Sequence, residues 1–172
     1  MKPIAAALFA ILLAGPALAA SAPQPAKAVG VGFFTGRWYE IARTENIRQQ
    51  GCQATTYDFG APKGETRPFI LSCRKGSVTG KPESLNVSIR MPSDQMRNKF
   101  KVSAMGGVLR QEYWILDRAD DLSWAIMATP GGNYVWLLAR SPRMDQGLKS
   151  QLLSRIKSMG YDLGKIVQPR HL

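Results

Sequence analysis

The sequence predicts an all-β protein, an eight-stranded up-and-down antiparallel β-barrel with one C-terminal α-helix packed on its outside. Three observations predict this fold. Eight short segments have the pattern of strands, the turns between them are short and rich in glycine, proline and aspartate, and one later segment has helical periodicity. Successive strands joined by short turns pair most simply as neighbours. Eight antiparallel strands can close into a barrel that has no free edge and can hold one small ligand.

Alternation of apolar and polar residues marks the strands most clearly in the middle of the chain. In SLNVSIRM (84–91) and KFKVSA (99–104) every second residue is apolar. This period of two indicates a half-buried antiparallel strand. The eight predicted strands are 37–43, 52–59, 68–74, 84–91, 99–104, 110–117, 123–129 and 133–140.

The helix is predicted in SPRMDQGLKSQLLSRIKSMG (141–160), with Ser141 as its N-cap, Pro142 at its first position and Gly160 as its C-cap. Its apolar stripe consists of Met144, Leu148, Leu152, Ile156 and Met159. Such a stripe favours docking on the barrel wall over lying on a membrane, which would need larger aromatic residues and a denser basic face. The segment 164–169 could add a short ninth strand.

The chain begins with the features of a secretory signal peptide, predicted over 1–19. Lys2 forms a short positive region, 4–13 is an apolar run, and a small-residue cleavage site ends at Ala19. The apolar run is too short for a transmembrane helix. No cysteine directly follows the run, so an acyl anchor on an N-terminal cysteine is not expected. The prediction is an exported protein, periplasmic or secreted and soluble.

Two further regions follow. Residues 20–31 are rich in alanine and proline and are expected to form a flexible leader. Residues 32–172 have a length that suits one domain with a single core.

The chain is strongly basic. It carries 23 Lys and Arg against 12 Asp and Glu, a net charge of +11, and loss of Lys2 with the signal peptide leaves 22 against 12, or +10. A basic surface favours anionic partners such as lipid headgroups or lipopolysaccharide, with possible peripheral contact with an anionic membrane surface. Nucleic acid is not expected for an exported protein. The basic residues are scattered, with no run of five or more, which favours a soluble basic surface without a dedicated partner.

The two cysteines are candidates for a disulfide. An even number of cysteines in an exported chain favours pairing, and two unpaired thiols are the alternative. A hairpin turn centred between Pro62 and Lys63 would place Cys52 directly opposite Cys73 on adjacent strands.

Signatures of catalysis are scarce. The one histidine, His171, is next to the C-terminus, which excludes a histidine-based triad and a multi-histidine metal site. The sequence has no glycine-rich phosphate-binding loop. We therefore predict no enzymatic activity, no catalytic residues, no metal and no cofactor.

Several stretches together resemble the lipocalin family, and within it the bacterial lipocalins and their apolipoprotein D-like relatives. The similar stretches are GRWYEIAR (36–43), ATTYDF (54–59), YWILDR (113–118), NYVWLLARSP (133–142) and GYDLGKIVQ (160–168). They occur in the expected order and span most of the domain. The family's T-D-Y motif is altered, because Asp121 and Leu122 stand where its last two residues are expected. No receptor contact is therefore inferred.

The resemblance gives structural roles to three residues at one end of the barrel. It implies that Gly36 allows a tight entry into the first strand, that Trp38 closes the barrel and that Arg140 covers the indole ring. A guanidinium over an indole face is a favourable cation–π contact, worth about 0.5–2 kcal/mol.

An inward Trp38 sets which residues line the interior, because alternate residues of a strand share a face. The two cysteines would then lie on the outer face. The predicted ligand-binding residues, some from strand parity and some from the family pattern, are Tyr57, Phe59, Ile70, Val87, Ile89, Phe100, Val102, Tyr113, Ile115, Met127, Tyr134, Trp136 and Leu138. Each of them could instead simply fill a solid core.

Glu40 shares the face of Trp38, where a carboxylate is costly unless it is paired. Three interpretations stay open: a buried ion pair with an arginine such as Arg90 or Arg140, a polar anchor for a ligand, or a side chain that reaches solvent because the strand twists.

The resemblance implies a binding or carrier protein. The expected ligand is a fatty acid, a lysophospholipid or a similar lipid held in the barrel, with a role in envelope lipid storage or transport. The alternative is an interaction or protective envelope protein that acts through its basic surface on anionic lipid or lipopolysaccharide, with the barrel empty. The sequence fits a monomer or a dimer equally.

Overall fold

The computed structural model describes residues 21–90 and 98–172. The strands within these ranges are β1 Gly36–Thr44, β2 Cys52–Phe59, β3 Thr66–Lys75, β4 Pro82–Arg90, β5 Lys99–Ala104, β6 Leu109–Arg118, β7 Trp124–Ala128, β8 Val135–Ala139 and β9 Ile166–Val167, and the α-helix is α1 Gln146–Ser158. Each of the eight predicted barrel strands matches one of β1 to β8, and the short ninth strand is also present. The predicted strand 84–91 ends in a residue outside the described ranges.

The sheet is a closed antiparallel barrel with up-and-down topology, as predicted. Strands β2 to β8 follow one another in sequence order, and β1 closes the sheet by pairing with both β8 and β2. The turns after β1, β3, β5 and β7 therefore lie at one end, called the open end, and the turns after β2 and β6 and the start of β1 lie at the closed end. The register predicted for β7 and β8 is confirmed, since Met127 pairs with Trp136.

The helix packs against the outer wall through Leu152 and Ile156, which are almost fully buried in an apolar cluster shared with β7 and β8. It begins later than predicted. Its N-cap is Asp145, whose carboxylate accepts a hydrogen bond from the Leu148 amide at 2.9 Å, whereas the Ser141 hydroxyl accepts one within the preceding bend. A carboxylate at this position also interacts favourably with the helix dipole.

The segment predicted to be a flexible leader packs on the barrel instead. The Ala22 amide donates to Pro130 at the open end, the Ala26 amide donates to Leu116, and the Lys27 ammonium bonds to Asp120 at the closed end. Small apolar side chains such as that of Val29 fill gaps in the barrel surface and core, which composition alone does not reveal. The signal peptide predicted over 1–19, with cleavage at Ala19, lies outside the described residues.

The predicted disulfide joins Cys52 to Cys73, whose Cα atoms are 5.4 Å apart. Closing a loop between residues 21 positions apart stabilises the fold by about 3 kcal/mol in the chain-entropy model. The predicted register of this hairpin is wrong: Cys52 pairs with Lys75, two residues from its predicted partner Cys73, and beyond the irregularity in β2 Tyr57 pairs with Leu71, three residues from the predicted position. An odd shift moves every side chain of a strand to the opposite face.

None of the helices in the described part of the chain is both long and apolar enough to cross a membrane.

Tyr161 allows a test of the outer cluster through pH. Its hydroxyl is buried without a hydrogen-bond partner in the described structure, and burial raises its pKa to about 12. Because an unfolded tyrosine ionises near about pH 10 and the folded one only near about 12, Tyr161 causes no pH dependence of stability below about pH 10 and lowers stability as the pH rises to about 12.

We expect Tyr161→Phe to keep or slightly raise stability at neutral pH, because it removes an unsatisfied buried hydroxyl. The variant should lose up to ~2 kcal/mol less stability than the parent between about pH 10 and 12. Urea unfolding across this pH range measures both effects. Identical losses in the two proteins would contradict the burial of this hydroxyl.

Candidate ligand cavity

The barrel encloses a cavity of about 500 Å³ that is reached from the open end. Its wall is mostly aliphatic and aromatic. Eleven of the predicted ligand-binding residues lie on this wall: Tyr57, Phe59, Val87, Ile89, Phe100, Val102, Tyr113, Met127, Tyr134, Trp136 and Leu138. The interior therefore holds free space as well as a packed core.

Two predicted lining residues lie elsewhere. Ile70 is on the outer face with 45% of its surface exposed, because the odd register shift of β3 turns Phe69 and Leu71 inward in its place. Ile115 is buried in the interior core but does not reach the cavity wall. Its main-chain amide is bonded to Asn98, which connects it to the closed end.

The cysteines are also displaced from their predicted face. Both are buried and lie on the cavity wall, not on the outer surface. For Cys73 the register shift of β3 is the cause. For Cys52 the cause is an irregularity in β2 between Gln53 and Thr56, where Ala54 has a φ of +48°. An extra residue of this kind reverses strand parity.

The closed end is blocked by Trp38 and the turn that precedes β1. The indole nitrogen of Trp38 donates to the Phe33 carbonyl at 2.9 Å, and the two rings pack with centroids 4.7 Å apart. Arg140 lies over the other side, with its guanidinium carbon 3.8 Å from the indole centroid. Gly36 has a φ of +61°, a conformation that side chains disfavour, so glycine suits this entry into β1.

Arg140 also satisfies the main chain at this end. Its guanidinium donates to the carbonyl oxygens of Gly32, Phe33 and Arg37 at 3.1–3.3 Å, and to that of Thr35. A single side chain thus connects Trp38 with the turn that leads into β1. Trp38 and Arg140 are in contact in the structure, as predicted.

Glu40 lies at the centre of a buried polar network in the wall. Its carboxylate is fully buried and accepts hydrogen bonds from the Arg43 guanidinium, the Gln49 amide and the Tyr57 hydroxyl, each at 2.7 Å. The expected ion pair exists, but neither Arg90 nor Arg140 is the partner. This arrangement also excludes the solvent-exposed interpretation of Glu40.

A bulge in β1 explains why Arg43, and not Arg90 or Arg140, pairs with Glu40. Residues three apart in a regular strand point to opposite faces. The pairing of β1 with β8 shifts register between Glu40 and Ala42, so Arg43 turns to the same inner face as Glu40. A buried carboxylate that accepts three hydrogen bonds, one of them from a guanidinium, is well compensated.

The network extends to the first turn at the open end. The Gln49 side-chain oxygen accepts hydrogen bonds from the Trp136 indole and the Asn46 amide, both at 3.0 Å. Arg43 also donates to the Gln49 carbonyl at 2.7 Å. The turn between β1 and β2 is therefore held on the barrel wall by buried contacts.

Burial and the Glu40 charge raise the pKa of Tyr57 well above its ordinary value. Burial likewise raises the pKa of Tyr113, and the nearby charge of Arg48 acts in the opposite direction. Both hydroxyls therefore remain protonated donors at physiological pH.

Two features of the described residues characterise the chemistry of the cavity. Within residues 21–90 and 98–172 no group of three or more His, Cys, Asp or Glu side chains is placed to hold a metal ion. Gln49 bonds to Glu40 and Trp136 in the wall, and most of the surface around the free space is apolar. The fold and cavity define a barrel protein of the kind that encloses a small ligand.

The chain belongs to the lipocalin family: the profile of the Lipocalin-like domain matches residues 29–171. Members of this family are generally binding and transport proteins for small hydrophobic molecules. The matched region begins three residues before the predicted domain start at Gly32. The resemblance seen in the sequence is thus confirmed.

Individual relatives agree with this assignment. The chain is 22% identical to Outer membrane lipoprotein Blc of Vibrio cholerae, with 97% of each chain covered. It is 27% identical to Temperature-induced lipocalin-1 of Arabidopsis thaliana, covering 81% of this chain and 78% of that protein. The structure of insecticyanin from the tobacco hornworm Manduca sexta matches with a TM-score of 0.67 at 17% identity, covering 87% of this chain and 84% of that one.

The buried ion pair makes a strong prediction for stability. Arg43→Met should destabilise the protein by about 3–5 kcal/mol, because Glu40 would be left without its buried counter-charge. Arg90→Met is a matched control: its partner Glu65 is at 3.3 Å and both side chains are largely exposed, so the loss should be below about 1 kcal/mol. Urea unfolding with the disulfide intact measures both.

The double variant Glu40→Gln/Arg43→Met should recover part of the loss, since it removes the uncompensated charge. Equal, small effects of Arg43→Met and Arg90→Met would show that the inner pair is not buried.

Proposed function

We propose that this protein binds and carries a small hydrophobic or amphiphilic ligand, such as a fatty acid, a lysophospholipid or a similar lipid, in the barrel cavity. The observation that carries the proposal is the cavity itself. It has about 500 Å³ of free space and one closed end, within the size range of ligand pockets in proteins. A solid barrel core would not leave such a volume.

The shape and composition of the wall favour a long apolar chain. The floor is formed by rings such as Trp38 and Phe33, and Val87, Phe100 and Leu138 are further apolar residues of the wall. Each methylene group moved from water into such surroundings contributes about 0.8 kcal/mol before ordering costs. Polar groups are concentrated toward the open end, where a headgroup would meet water.

We propose that the protein is exported and acts in an oxidising compartment. A signal peptide cleaved after Ala19 would deliver a soluble protein, and the Cys52–Cys73 disulfide suits such a compartment. A relative named as an outer membrane lipoprotein supports a role in envelope lipid storage or transport.

Native mass spectrometry of the exported form at high salt tests the proposal directly. We expect an added mass of a few hundred daltons, on the order of one lipid, that is lost on organic extraction. A bare mass that persists after incubation with fatty acids and lysophospholipids would contradict it. High salt matters because a ligand held only by surface charge would dissociate.

A space-filling variant locates the ligand. Val102→Trp adds bulk to a side chain on the cavity wall, so it should reduce ligand binding tenfold or more, roughly the loss of two buried methylenes. Ile70→Trp adds the same indole on the outer face of the barrel and should leave affinity unchanged. Titration with a fluorescent fatty acid measures both, and equal effects would place the ligand outside the cavity.

One observation favours a second candidate function, contact with an anionic membrane surface. Three large apolar side chains with high exposed fractions lie in turns at the open end. Ile47 is 87% exposed, Val108 is 80% exposed and Met105 is 62% exposed. Arg48 and Arg110 lie beside them. Apolar tips surrounded by cations are the combination that binds anionic bilayers. Contact there would also place the cavity entrance against lipid.

Vesicle flotation tests this contact. Ile47→Ser combined with Val108→Ser should weaken binding to phosphatidylglycerol vesicles about tenfold or more, because two apolar side chains no longer insert. Val31→Ser is the control, since Val31 is 50% exposed at the closed end. An equal loss for Val31→Ser, or no binding by the parent protein, would remove the membrane candidate while leaving the cavity proposal intact.

A further inference from the structure

The charged side chains on the cavity wall are unbalanced. Among the described residues they are Arg48, Glu83 and Arg110. Glu83 has a cation of its own, the Lys75 ammonium at 3.5 Å. Within the described residues, no carboxylate lies within ion-pair distance of Arg48 or Arg110. The entrance therefore presents uncompensated positive charge to a ligand.

The buried carboxylate of Glu40 does not restore the balance. One of its oxygens accepts from Arg43 and the other accepts from Gln49 and Tyr57. Its charge is neutralised by Arg43, and it lies behind the cavity wall. A cationic headgroup would therefore find no free anion there, which excludes the interpretation of Glu40 as a ligand anchor.

Arg48 is the better placed of the two arginines. It lies in the short turn Ile47–Gln49, which Gln49 ties to the buried network through Glu40 and Trp136. The backbone that carries Arg48 is thus fixed at the entrance. Arg110 is already engaged locally, since its guanidinium donates to the Gly107 carbonyl at 3.1 Å.

Two neutral donors reinforce the site. Thr129 directly follows β7 at the open end, is 7% exposed, and has no hydrogen-bond partner for its hydroxyl in the described structure. Tyr113 lies on the wall close enough to Arg48 for that charge to act on its phenol. A buried hydroxyl without a partner is costly, so an acceptor atom of a ligand would satisfy it.

We infer that the ligand carries an acidic headgroup, a carboxylate or a phosphate ester, which Arg48 holds at the cavity entrance while the acyl chain extends toward Trp38. This inference rests on the proposed cavity-binding function. It adds a selection rule: among molecules with the same chain, the protein prefers the anion over the neutral and the cationic form. Charge-assisted hydrogen bonds are the stronger class, which gives the preference its size.

The test compares ligands of one chain length with different headgroups. A long-chain fatty acid, its alcohol, its alkylamine and the corresponding lysophosphatidic acid are titrated against the full protein by isothermal calorimetry. We expect the acid or the lysophosphatidic acid to bind at least about tenfold more tightly than the alcohol, and the amine to bind most weakly. Whichever anion binds more tightly identifies a carboxylate or a phosphate ester as the favoured headgroup.

Arg48→Gln locates the interaction. The variant should lose about tenfold in affinity for the acid and keep its affinity for the alcohol, which also shows that it is folded. Arg143→Gln removes the same charge at an exposed position beyond β8, near the closed end, and should change neither affinity. Arg110→Gln should have less effect on the acid than Arg48→Gln.

The outcomes separate the two proposals. If the alcohol and the amine bind as tightly as the acid, or if Arg48→Gln loses affinity for acid and alcohol alike, the headgroup inference is overturned and the cavity proposal stands. A loss that follows Arg110 rather than Arg48 also overturns it. If none of the four molecules binds the parent protein, the proposed function itself fails.

Discussion

The structure depends on the buried contact between Glu40 and Arg43. A carboxylate inside a barrel is strongly unfavourable without a counter-charge and hydrogen bonds. The bulge in β1 supplies the counter-charge from the same strand, and Gln49 and Tyr57 supply the remaining donors. In return the carboxylate joins β1, β2 and the first turn of the open end into one unit. The turn between β1 and β2 at the open end is therefore firmly attached to the barrel although it is irregular.

The two ends of the barrel differ in how they treat apolar surface: the closed end buries it and the open end exposes it. At the closed end Arg140 stacks on Trp38 and bonds to the main chain around it, so the barrel is sealed by packing and hydrogen bonds together. At the open end apolar side chains such as Ile47 and Val108 remain in solvent. Apolar surface is retained there at a cost in solubility, which is understandable where a hydrophobic ligand enters or a lipid surface is contacted.

The interior combines two kinds of polarity with different consequences. The Glu40 carboxylate is satisfied by three internal donors and ties the wall together. The cations Arg48 and Arg110 have no carboxylate within ion-pair distance, and the hydroxyl of Thr129 has no hydrogen-bond partner, in the described structure. In a family of binding and transport proteins, unsatisfied groups beside an apolar cavity indicate what the ligand contributes. Internally bonded polar residues therefore have a structural role, whereas polar residues without internal partners are the candidates for ligand selection.

The sequence by itself determined the strand order, the closure of the barrel, the external helix and the register of β7 on β8, because period-two alternation and a short glycine turn are local signals. Tertiary structure decided the inner faces of β2 and β3, and with them the positions of Ile70 and Cys73. It also decided the partner of Glu40. In each case a bulge or an odd register shift reverses the parity of a strand, and only the pairing between strands reveals where it occurs.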